Sequence, residues 1–267
     1  MAEKTTKKRA AKSSSRAVIE VKGLEKKFEL TKDKYQVALQ AVDFDIEATE
    51  FVILFGPSGC GKSTVLNLIA GLELPTAGSI KIRGEELTKF NKIQLARHHR
   101  TKIGMVFQQF NLIANLSVKE NVALPGAFAG SNYETRTKRA EHLLEMFGLT
   151  GMADNLPQEL SGGEQQKVAI ARSLMNNPWI VLVDEPTGNL DSKSSEEVMD
   201  ILEHLNQKSR RTILLVTHNP DYLNRAHRVF FMKDGKIINS KVNRRVVHRR
   251  ADTKTDDELS YEMKGGK

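Results

Sequence analysis

Three short apolar runs divide the central part of the chain. They lie at Phe51–Phe55, Ile180–Val183 and Ile213–Val216, and each is followed at once by glycine or polar residues. Runs of this length are typical of strands that are buried on both faces of a parallel sheet. Helical spacing follows the first run at Thr64–Ala70 and lies between the other two at Glu196–Leu205. Strands that alternate with helices predict an α/β fold.

The parts of the chain around these runs have other periods. Ordered structure is expected to begin at Val18–Val21, and Tyr35–Ile46 alternates apolar and polar residues as a half-buried strand does. In the middle, Asn91–Arg100 and Glu134–Phe147 have the spacing of amphipathic helices. The residues expected to mark turns between them are Pro125, Gly126, Gly130, Gly148 and Gly151. No internal repeat is evident.

The net charge of +8 is concentrated near the ends of the chain. Basic side chains dominate residues 1–16 and 241–250, whereas acidic and basic side chains balance over 17–240. A neutral body argues against a nucleic-acid-binding face, which would place a basic stripe on the folded domain. We therefore expect a disordered basic tail at 1–16 and a charged tail at 241–267. Such tails are either simply solvated or attracted to anionic lipid.

Cys60 is the single cysteine, so no disulfide can form within the chain, and a reducing, cytoplasmic compartment fits. The apolar runs are far shorter than the roughly 20 residues that span a bilayer. The basic residues at the N-terminus precede no apolar core, so they do not resemble a secretory signal. These observations predict a soluble or peripheral protein that needs a partner for any work at a membrane.

The first apolar run leads into a phosphate-loop motif, glycine, four residues, glycine, lysine and serine. Its glycines let successive backbone N–H groups face a phosphate, and the following helix adds its positive N-terminal end. Lys62 is expected to reach the β- and γ-phosphates, and the hydroxyl of Ser63 can bind Mg²⁺. The alternative is a glycine turn with a surface lysine, but the position between a buried strand and a helix favours the motif. The predicted ATP-binding residues here are Gly56, Pro57, Ser58, Gly59, Cys60, Gly61, Lys62, Ser63 and Thr64.

Asp184 and Glu185 follow the second apolar run. In open parallel sheets, ligands bind beyond the carboxyl ends of the strands. Asp184 is expected to hold Mg²⁺ through water, and Glu185 to orient and polarise the attacking water. An Asp-Glu pair is commonly a solvated strand end, but in a chain with a phosphate loop the catalytic interpretation is favoured.

Leu160–Glu164 has features of a second anion-binding site. Ser161 offers a hydroxyl, Gly162 and Gly163 allow close backbone approach, and a helix begins there. The alternative is an ordinary helix N-terminus with Ser161 as the cap and Glu164 completing a capping box. The two interpretations are compatible.

These motifs, in this order over about residues 18–240, resemble an ATP-binding-cassette (ABC) ATPase. The resemblance implies a P-loop NTPase fold of ABC type: a mainly parallel sheet, an N-terminal antiparallel β region and an inserted helical subdomain at about 90–160. It also implies that Gln108 senses Mg²⁺ and the γ-phosphate, that His218 contacts the γ-phosphate, and that the Asp191 loop crosses to a second subunit. Phe28 occupies the place of the ring that stacks on adenine, with Tyr35 as the alternative. The other histidines form no metal-like cluster and are expected on the surface: His98, His99, His142, His204, His227 and His248.

The segments Pro186–Asp191 and Phe107–Leu112 resemble one subgroup in particular. It comprises macrolide exporters, lipoprotein-releasing ATPases, antimicrobial-peptide resistance pumps and cell-division cassettes. Two residues depart from its pattern. Thr49 stands where a glycine is usual, and Lys167 where an arginine is common. Neither departure affects the catalytic residues.

The resemblance implies an ATPase subunit, catalytic through Lys62, Gln108, Glu185 and His218, that works on the inner face of the cell membrane. Two copies are expected to form a head-to-tail dimer around two ATP and to drive a separate transmembrane permease, for export or mechanical work. ATP and Mg²⁺ are the implied cofactors. The alternative, a soluble ABC-type ATPase of translation or DNA repair, would have two cassettes or a coiled-coil insertion. A scaffold would have lost a catalytic residue, and a kinase has no use for the segment at Leu160.

Overall fold

Two β-sheets organise the computed structural model, which describes residues 17–32 and 34–243. The strands are β1 (Ala17–Thr31), β2 (Lys34–Glu47), β3 (Phe51–Phe55), β4 (Ala77–Ile82), β5 (Glu85–Glu86), β6 (Ile103–Val106), β7 (Ile180–Asp184), β8 (Thr212–Thr217), β9 (Arg228–Lys233) and β10 (Lys236–Val242). The α-helices are α1 (Lys62–Ala70), α2 (Lys92–Lys102), α3 (Val118–Phe128), α4 (Tyr133–Met146), α5 (Gly162–Ser173) and α6 (Ser192–Gln207).

The first sheet confirms the antiparallel β region near the N-terminus. It has four strands in the order β2-β1-β4-β5, and all its described pairings are antiparallel. The long β1–β2 hairpin buries one face through Ile19, Val21 and Leu24. Between β2 and β3, Thr49 adopts a φ of 59°, a left-handed conformation that glycine adopts without strain. Thr49 therefore occupies a position at which the backbone conformation favours glycine.

The second sheet confirms the mainly parallel core. Its six strands lie in the order β10-β9-β3-β8-β7-β6, and only the β9–β10 pair is antiparallel. Alternate residues of β3 enter different apolar clusters: Phe51 and Ile53 face one, Val52 and Leu54 the other. Both faces of the sheet are thus covered. Its parallel strands end at one common edge, and the functional residues predicted at strand ends lie there.

The middle of the chain contains the two predicted helices as α2 and α4, together with a helix and a strand that the sequence pattern did not indicate. The prediction that Pro125 and Gly126 mark a turn is wrong, because both lie inside α3. Pro125 is far enough along α3 for the helix to be established before it. At Gly126 a Cβ would lie 2.7 Å from Cε of Met175, so the missing side chain allows close packing. The unpredicted strand is β6, which pairs with β7 in the central sheet.

The two tails predicted from charge, 1–16 and 241–267, lie outside the described residues except for the end of β10 and Asn243. In the part of the chain that the structure describes, no helix has the length and apolar character needed to cross a membrane. The predicted boundaries of the tails, of the domain at 17–240 and of a helical subdomain at 90–160 stay predictions.

Candidate active site

The phosphate-loop motif forms the connection between β3 and α1, as its sequence context requires. Gly59 and Gly61 have φ values of 77° and 101°, which L-residues with side chains rarely adopt. Gly56 is needed for a different reason, because a Cβ there would lie 2.2 Å from the carbonyl oxygen of Met232. Cys60 lies buried beneath the loop, and burial raises the pKa of its thiol. The loop therefore offers backbone N–H groups and the start of α1, rather than the thiol, to an anion.

Lys62, the first residue of α1, is 5% exposed and reaches back across the loop. Its ammonium group donates to the carbonyl oxygens of Gly56 (2.9 Å) and Pro57 (3.0 Å). A third neighbour is Glu185, whose carboxylate oxygen lies 3.5 Å from Nζ. These contacts aim a positive charge at the mouth of the loop.

Ser63 and Asp184 are brought together from α1 and the end of β7. The hydroxyl of Ser63 donates to Oδ1 of Asp184 over 3.0 Å. Burial raises the pKa of Asp184, and the hydrogen bond from Ser63 opposes that rise. A hydroxyl and a carboxylate oxygen side by side fit Mg²⁺, which binds proteins through few oxygen ligands and completes its octahedron with phosphate and water. The described residues contain no cluster of three or more His, Cys, Asp and Glu side chains suited to another kind of metal site.

Glu185 links the loop to the end of β8. Its backbone φ is 44°, a strained value for a residue with a long side chain. The carboxylate lies 3.0 Å from Nδ1 of His218, the residue after β8, in addition to its contact with Lys62. A carboxylate can only accept, so Nδ1 of His218 donates in this contact, and Nε2 is not engaged by Glu185.

Gln108 joins this edge of the sheet from the segment after β6. A Cβ on Gly188 would lie 2.7 Å from Nε2 of Gln108, so the glutamine side chain packs directly on the backbone of the loop that follows Glu185. The backbone carbonyl of Gln108 accepts from Nδ2 of Asn189 at 3.3 Å. Gln108 is exposed, so its amide remains accessible at the edge of the site.

Ser161 caps α5, as the local interpretation of this segment predicts. The N–H and hydroxyl of Ser161 donate to Glu164 over 2.8 and 2.6 Å, and the N–H of Glu164 donates back over 3.4 Å. These hydrogen bonds lower the pKa of Glu164. Gly163 packs on Ser194, where a Cβ would meet the serine hydroxyl at 2.7 Å. Asp191 in turn caps α6 by accepting from the N–H of Ser194 at 2.9 Å, and its hydrogen bonds with Ser194 lower its pKa.

Phe28 and Tyr35 lie in the β1–β2 hairpin but on opposite faces of it. Phe28 pairs with Gln36, while Tyr35 pairs with Glu29, and successive side chains of a strand point to opposite faces. The ring of Phe28 is half-buried, with Nζ of Lys26 4.9 Å from its centroid, whereas Tyr35 is 56% exposed.

The structure gathers Lys62, Ser63, Asp184, Glu185 and His218 at one edge of the sheet, with Gln108 beside them. The hydrogen bonds and ion pairs of the described residues include none between the phosphate loop and the segment from Ser161 to Glu164. Sequence reasoning missed the packing of Gly188 under Gln108, for which no local signal exists.

The expectation that the remaining histidines lie on the surface is wrong for two of them. His98 and His227 are 4% and 5% exposed. Nδ1 of His227 accepts from the N–H of Phe51 at 3.0 Å, so its burial next to β3 is stabilised by a hydrogen bond to the sheet backbone. His248 lies outside the described residues.

A phosphate loop at the end of a buried strand, a hydroxyl–carboxylate pair and a neighbouring carboxylate–histidine pair define a nucleotide-hydrolysing P-loop protein. Residues 39–188 match the family model described as ABC transporter, and the chain belongs to this family.

Three relatives illustrate the match. The uncharacterized ABC transporter ATP-binding protein YknY of Bacillus subtilis is 40% identical over 230 residues, which cover 86% of this chain and 99% of YknY. The macrolide export ATP-binding/permease protein MacB of Mannheimia succiniciproducens is 44% identical over 83% of this chain but only 34% of its own length. The dimeric, post-hydrolysis structure of the ATP-binding cassette MJ0796 with ADP and Pi has a TM-score of 0.78 and 40% identity, covering 84% of this chain and 98% of that one.

The chain is therefore an ATP-binding, ATP-hydrolysing subunit of an ABC transporter, similar to the macrolide-exporter subgroup. Cassettes of this kind dimerise and act with a transmembrane partner. The transporter names of these relatives favour this function over the alternative of a soluble ATPase of translation or DNA repair.

Proposed function

We propose that this chain hydrolyses Mg·ATP at composite sites in a head-to-tail dimer and thereby drives a separate transmembrane permease. The observation that carries the proposal is the convergence of Lys62 and His218 on the two carboxylate oxygens of Glu185, next to the paired Ser63 and Asp184. Each of these groups has a role in the in-line attack of water on a phosphoryl group.

Glu185 orients and polarises the attacking water, and its contacts with Lys62 and His218 fix the direction of its carboxylate. When nucleotide binds, the ammonium of Lys62 exchanges its carbonyl partners for β- and γ-phosphate oxygens. His218 turns its imidazole to the γ-phosphate from the end of β8. Transition-state charge is stabilised by groups that are already held in place, which is the main source of catalysis in phosphoryl transfer.

Ser63, Asp184 and Gln108 would hold Mg²⁺. Bound Mg²⁺ would supply charge that neutralises the phosphates. The hydroxyl of Ser63 and the side-chain amide oxygen of Gln108 would bind the ion, and Asp184 would act through water. Gln108 would sense the ion and the γ-phosphate and link them to the transmembrane partner.

The backbone from Gly56 to Gly61 cradles the phosphates, and Thr64 continues the first turn of α1. We assign adenine stacking to Phe28 rather than Tyr35. Phe28 shares a face of the hairpin with Leu39, whereas Tyr35 points to the other face. Leu39 in turn adjoins the phosphate loop, since its Cδ2 would lie 2.8 Å from a Cβ on Gly61.

Ser161, Gly162, Gly163 and Glu164 bind the γ-phosphate of the ATP held by the other copy. This assignment is supported by the separation of that segment from the phosphate loop within one chain. The N-terminus of α5 carries a partial positive charge suited to an anion. Asp191, exposed at the start of α6, approaches the second subunit.

The membrane partner contacts the helical middle of the domain. A groove of about 870 Å³ lies between α2, α3 and the end of α1. Exposed apolar side chains at its rim, Leu72, Leu74 and Phe128, mark an interaction surface. With the permease in the bilayer, the chain lies peripherally on its inner, cytoplasmic face. The basic tails add attraction to anionic lipid.

The experiment that tests the catalytic assignment replaces Glu185 by glutamine. Glu185→Gln should bind ATP like the wild type but hydrolyse it at least about 100-fold more slowly, because an amide cannot accept a proton as the carboxylate does. Single-turnover hydrolysis and equilibrium binding of a fluorescent ATP analogue measure the two properties. Glu141→Gln, at an exposed position of α4, is the control and should leave both unchanged. Near-normal hydrolysis by Glu185→Gln would contradict the assignment.

A further inference from the structure

Arg172, in the last turn of α5, is a half-buried cation that the catalytic scheme does not use. Its guanidinium donates to the backbone carbonyl oxygens of Phe110 (2.7 Å) and Asn111 (2.5 Å). Burial lowers its pKa, and no carboxylate among residues 17–32 and 34–243 forms an ion pair with it. Partial burial of a cation without a paired carboxylate has a desolvation cost, so a specific role for its two carbonyl contacts is indicated.

The two carbonyls belong to residues in a strained backbone conformation. Phe110 and Asn111 have φ values of 55° and 52°. Asparagine tolerates this region, but a bulky residue such as phenylalanine rarely occupies it, and such strain persists only where neighbouring groups hold it. The planar fork of an arginine donates to the two carbonyls from two separate nitrogens in a fixed geometry, which the single nitrogen of a lysine does not reproduce.

Segment 108–111, which ends in these two strained residues, connects three parts of the site. The side chain of Gln108 packs on Gly188 in the loop after Glu185. The backbone carbonyl of Gln108 accepts a hydrogen bond from the side chain of Asn189. The ring of Phe110 comes within 3.9 Å of the position that a Cβ on Gly162 would occupy, at the other end of α5 from Arg172. A change in the backbone at 110–111 would therefore move Gln108 away from Gly188.

We propose that Arg172 is a positioning residue for ATP hydrolysis. By holding the carbonyls of Phe110 and Asn111, it keeps residues 110 and 111 in the left-handed conformation and so seats Gln108 on Gly188. Arg172 acts through Gln108 and does not touch the nucleotide. This inference rests on the proposed role of Gln108, and the experiment separates the two.

The test compares Arg172→Lys with Arg139→Lys in the full-length chain. Arg139 is a matched control, because it is also half-buried and its guanidinium also donates to two carbonyls near the end of α5, those of Leu174 and Met175. Arg172→Lys should lower kcat about tenfold or more, with KM for ATP changed by no more than about twofold. It should also raise the Mg²⁺ concentration for half-maximal activity. Without nucleotide, hydrogen exchange at 108–111 should be faster than in Arg139→Lys.

A double-mutant cycle with Gln108→Ala gives the decisive comparison. If Arg172 acts through Gln108, adding Arg172→Lys to Gln108→Ala should lower kcat no further. Effects that multiply, or an Arg139→Lys variant with the same loss, would overturn the inference and indicate a general structural role. An impaired Gln108→Ala together with a normal Arg172→Lys would overturn the inference alone. Wild-type turnover by Gln108→Ala would overturn the role of Gln108 itself, and the inference with it.

Asn111→Pro tests the held conformation even if Arg172→Lys does not fold. Proline fixes φ near −65°, which is incompatible with the left-handed backbone, and Asn111 is exposed, so the core is left intact. Asn111→Pro should reproduce the loss of kcat while retaining ATP binding. Turnover at the wild-type level would show that the conformation of the segment is not required and would overturn the inference.

Discussion

At the scale of single residues, the site depends on side chains that already contact one another before nucleotide is considered. Lys62 and His218 contact opposite oxygens of Glu185, and Ser63 bonds Asp184. The backbone contributes as well, since Glu185 takes a positive φ that its side chain does not favour. At Glu185, a positive φ at a non-glycine residue thus coincides with a proposed catalytic position.

Thr49 has a similar φ without any contact with the site, and this difference leads to a prediction. Thr49→Gly should raise the free energy of unfolding by about 1 kcal/mol, because the gain from relieving left-handed strain exceeds the entropy that glycine loses on folding. The N–H of residue 49, which donates to Thr212, is kept in the variant. Urea denaturation measures the change.

Ala48→Gly is the control for this prediction, because Ala48 is not among the residues with positive φ. It should be neutral or slightly destabilising. A loss of stability in Thr49→Gly would mean that contacts of the threonine side chain outweigh the backbone strain.

At the scale of elements, α2 packs through a pair of histidines. His98 is buried, with Nε2 3.4 Å from the carbonyl oxygen of Ile69 and its ring edge-on to Phe90. Nε2 of His99 is buried and has no hydrogen-bond partner among the described residues. Burial lowers the pKa of both histidines below the ordinary value of 6.5, so the folded state favours their neutral forms.

This arrangement predicts acid sensitivity of a defined sign. Because both folded-state pKa values are depressed, the unfolded chain binds protons first as the pH falls. The stability from neutral His98 and His99 is fully present above pH 6.5 and is lost below it. Each histidine contributes at most about 1.4 kcal/mol per pH unit.

The measurement is the free energy of unfolding between pH 5 and pH 7.5. Replacing both His98 and His99 by glutamine should flatten the slope below pH 6.5, whereas His142→Gln, at an exposed position of α4, should not. An unchanged slope in the double variant would assign the acid sensitivity to other groups.

The elements also show how far the sequence predicts the fold. Periodicity predicted β2, β3, β7, β8, α1, α2, α4 and α6 within a few residues. It missed β6, where Gly104 interrupts the apolar pattern. Glycine is favoured at this position, because a Cβ would lie 2.6 Å from the carbonyl oxygen of Ser173. It also missed α3, which continues through Pro125. In both places tertiary packing selects a residue that local propensity disfavours.

Part of the candidate site, too, was predictable from the sequence, and part was not. The residues from Gly56 to Ser63, and Asp184 with Glu185, were predictable because their chemistry depends on neighbours along the chain. The contacts of Gln108 with Gly188 and of Arg172 with residues 110 and 111 join distant segments. No spacing in the sequence indicates them.

At the scale of the whole molecule, the two anion-binding segments do different work within one chain. The phosphate loop faces Asp184 and Glu185, whereas Ser161 at the start of α5 is bonded to Glu164, and the nearby Gly163 packs on Ser194 of α6. One nucleotide has one γ-phosphate, so the proposed function assigns these two segments of one chain to two different nucleotides. This is the central claim of the proposed function.

The measurement that tests it most directly is the mass of the ATP-bound protein by light scattering. Glu185→Gln with ATP and Mg²⁺ should accumulate as a dimer. Adding Ser161→Arg should keep it monomeric while nucleotide still binds, because a bulky side chain blocks the approach of the partner's phosphate. Ser117→Arg is the matched control, because Ser117 caps α3 through an equivalent capping box with Glu120. The Ser117→Arg variant therefore loses the same kind of helix cap, which contributes about 1 kcal/mol to stability. That variant should still dimerise. If Ser161→Arg instead abolished nucleotide binding by the folded monomer, both segments would belong to one site, and the head-to-tail dimer would be contradicted.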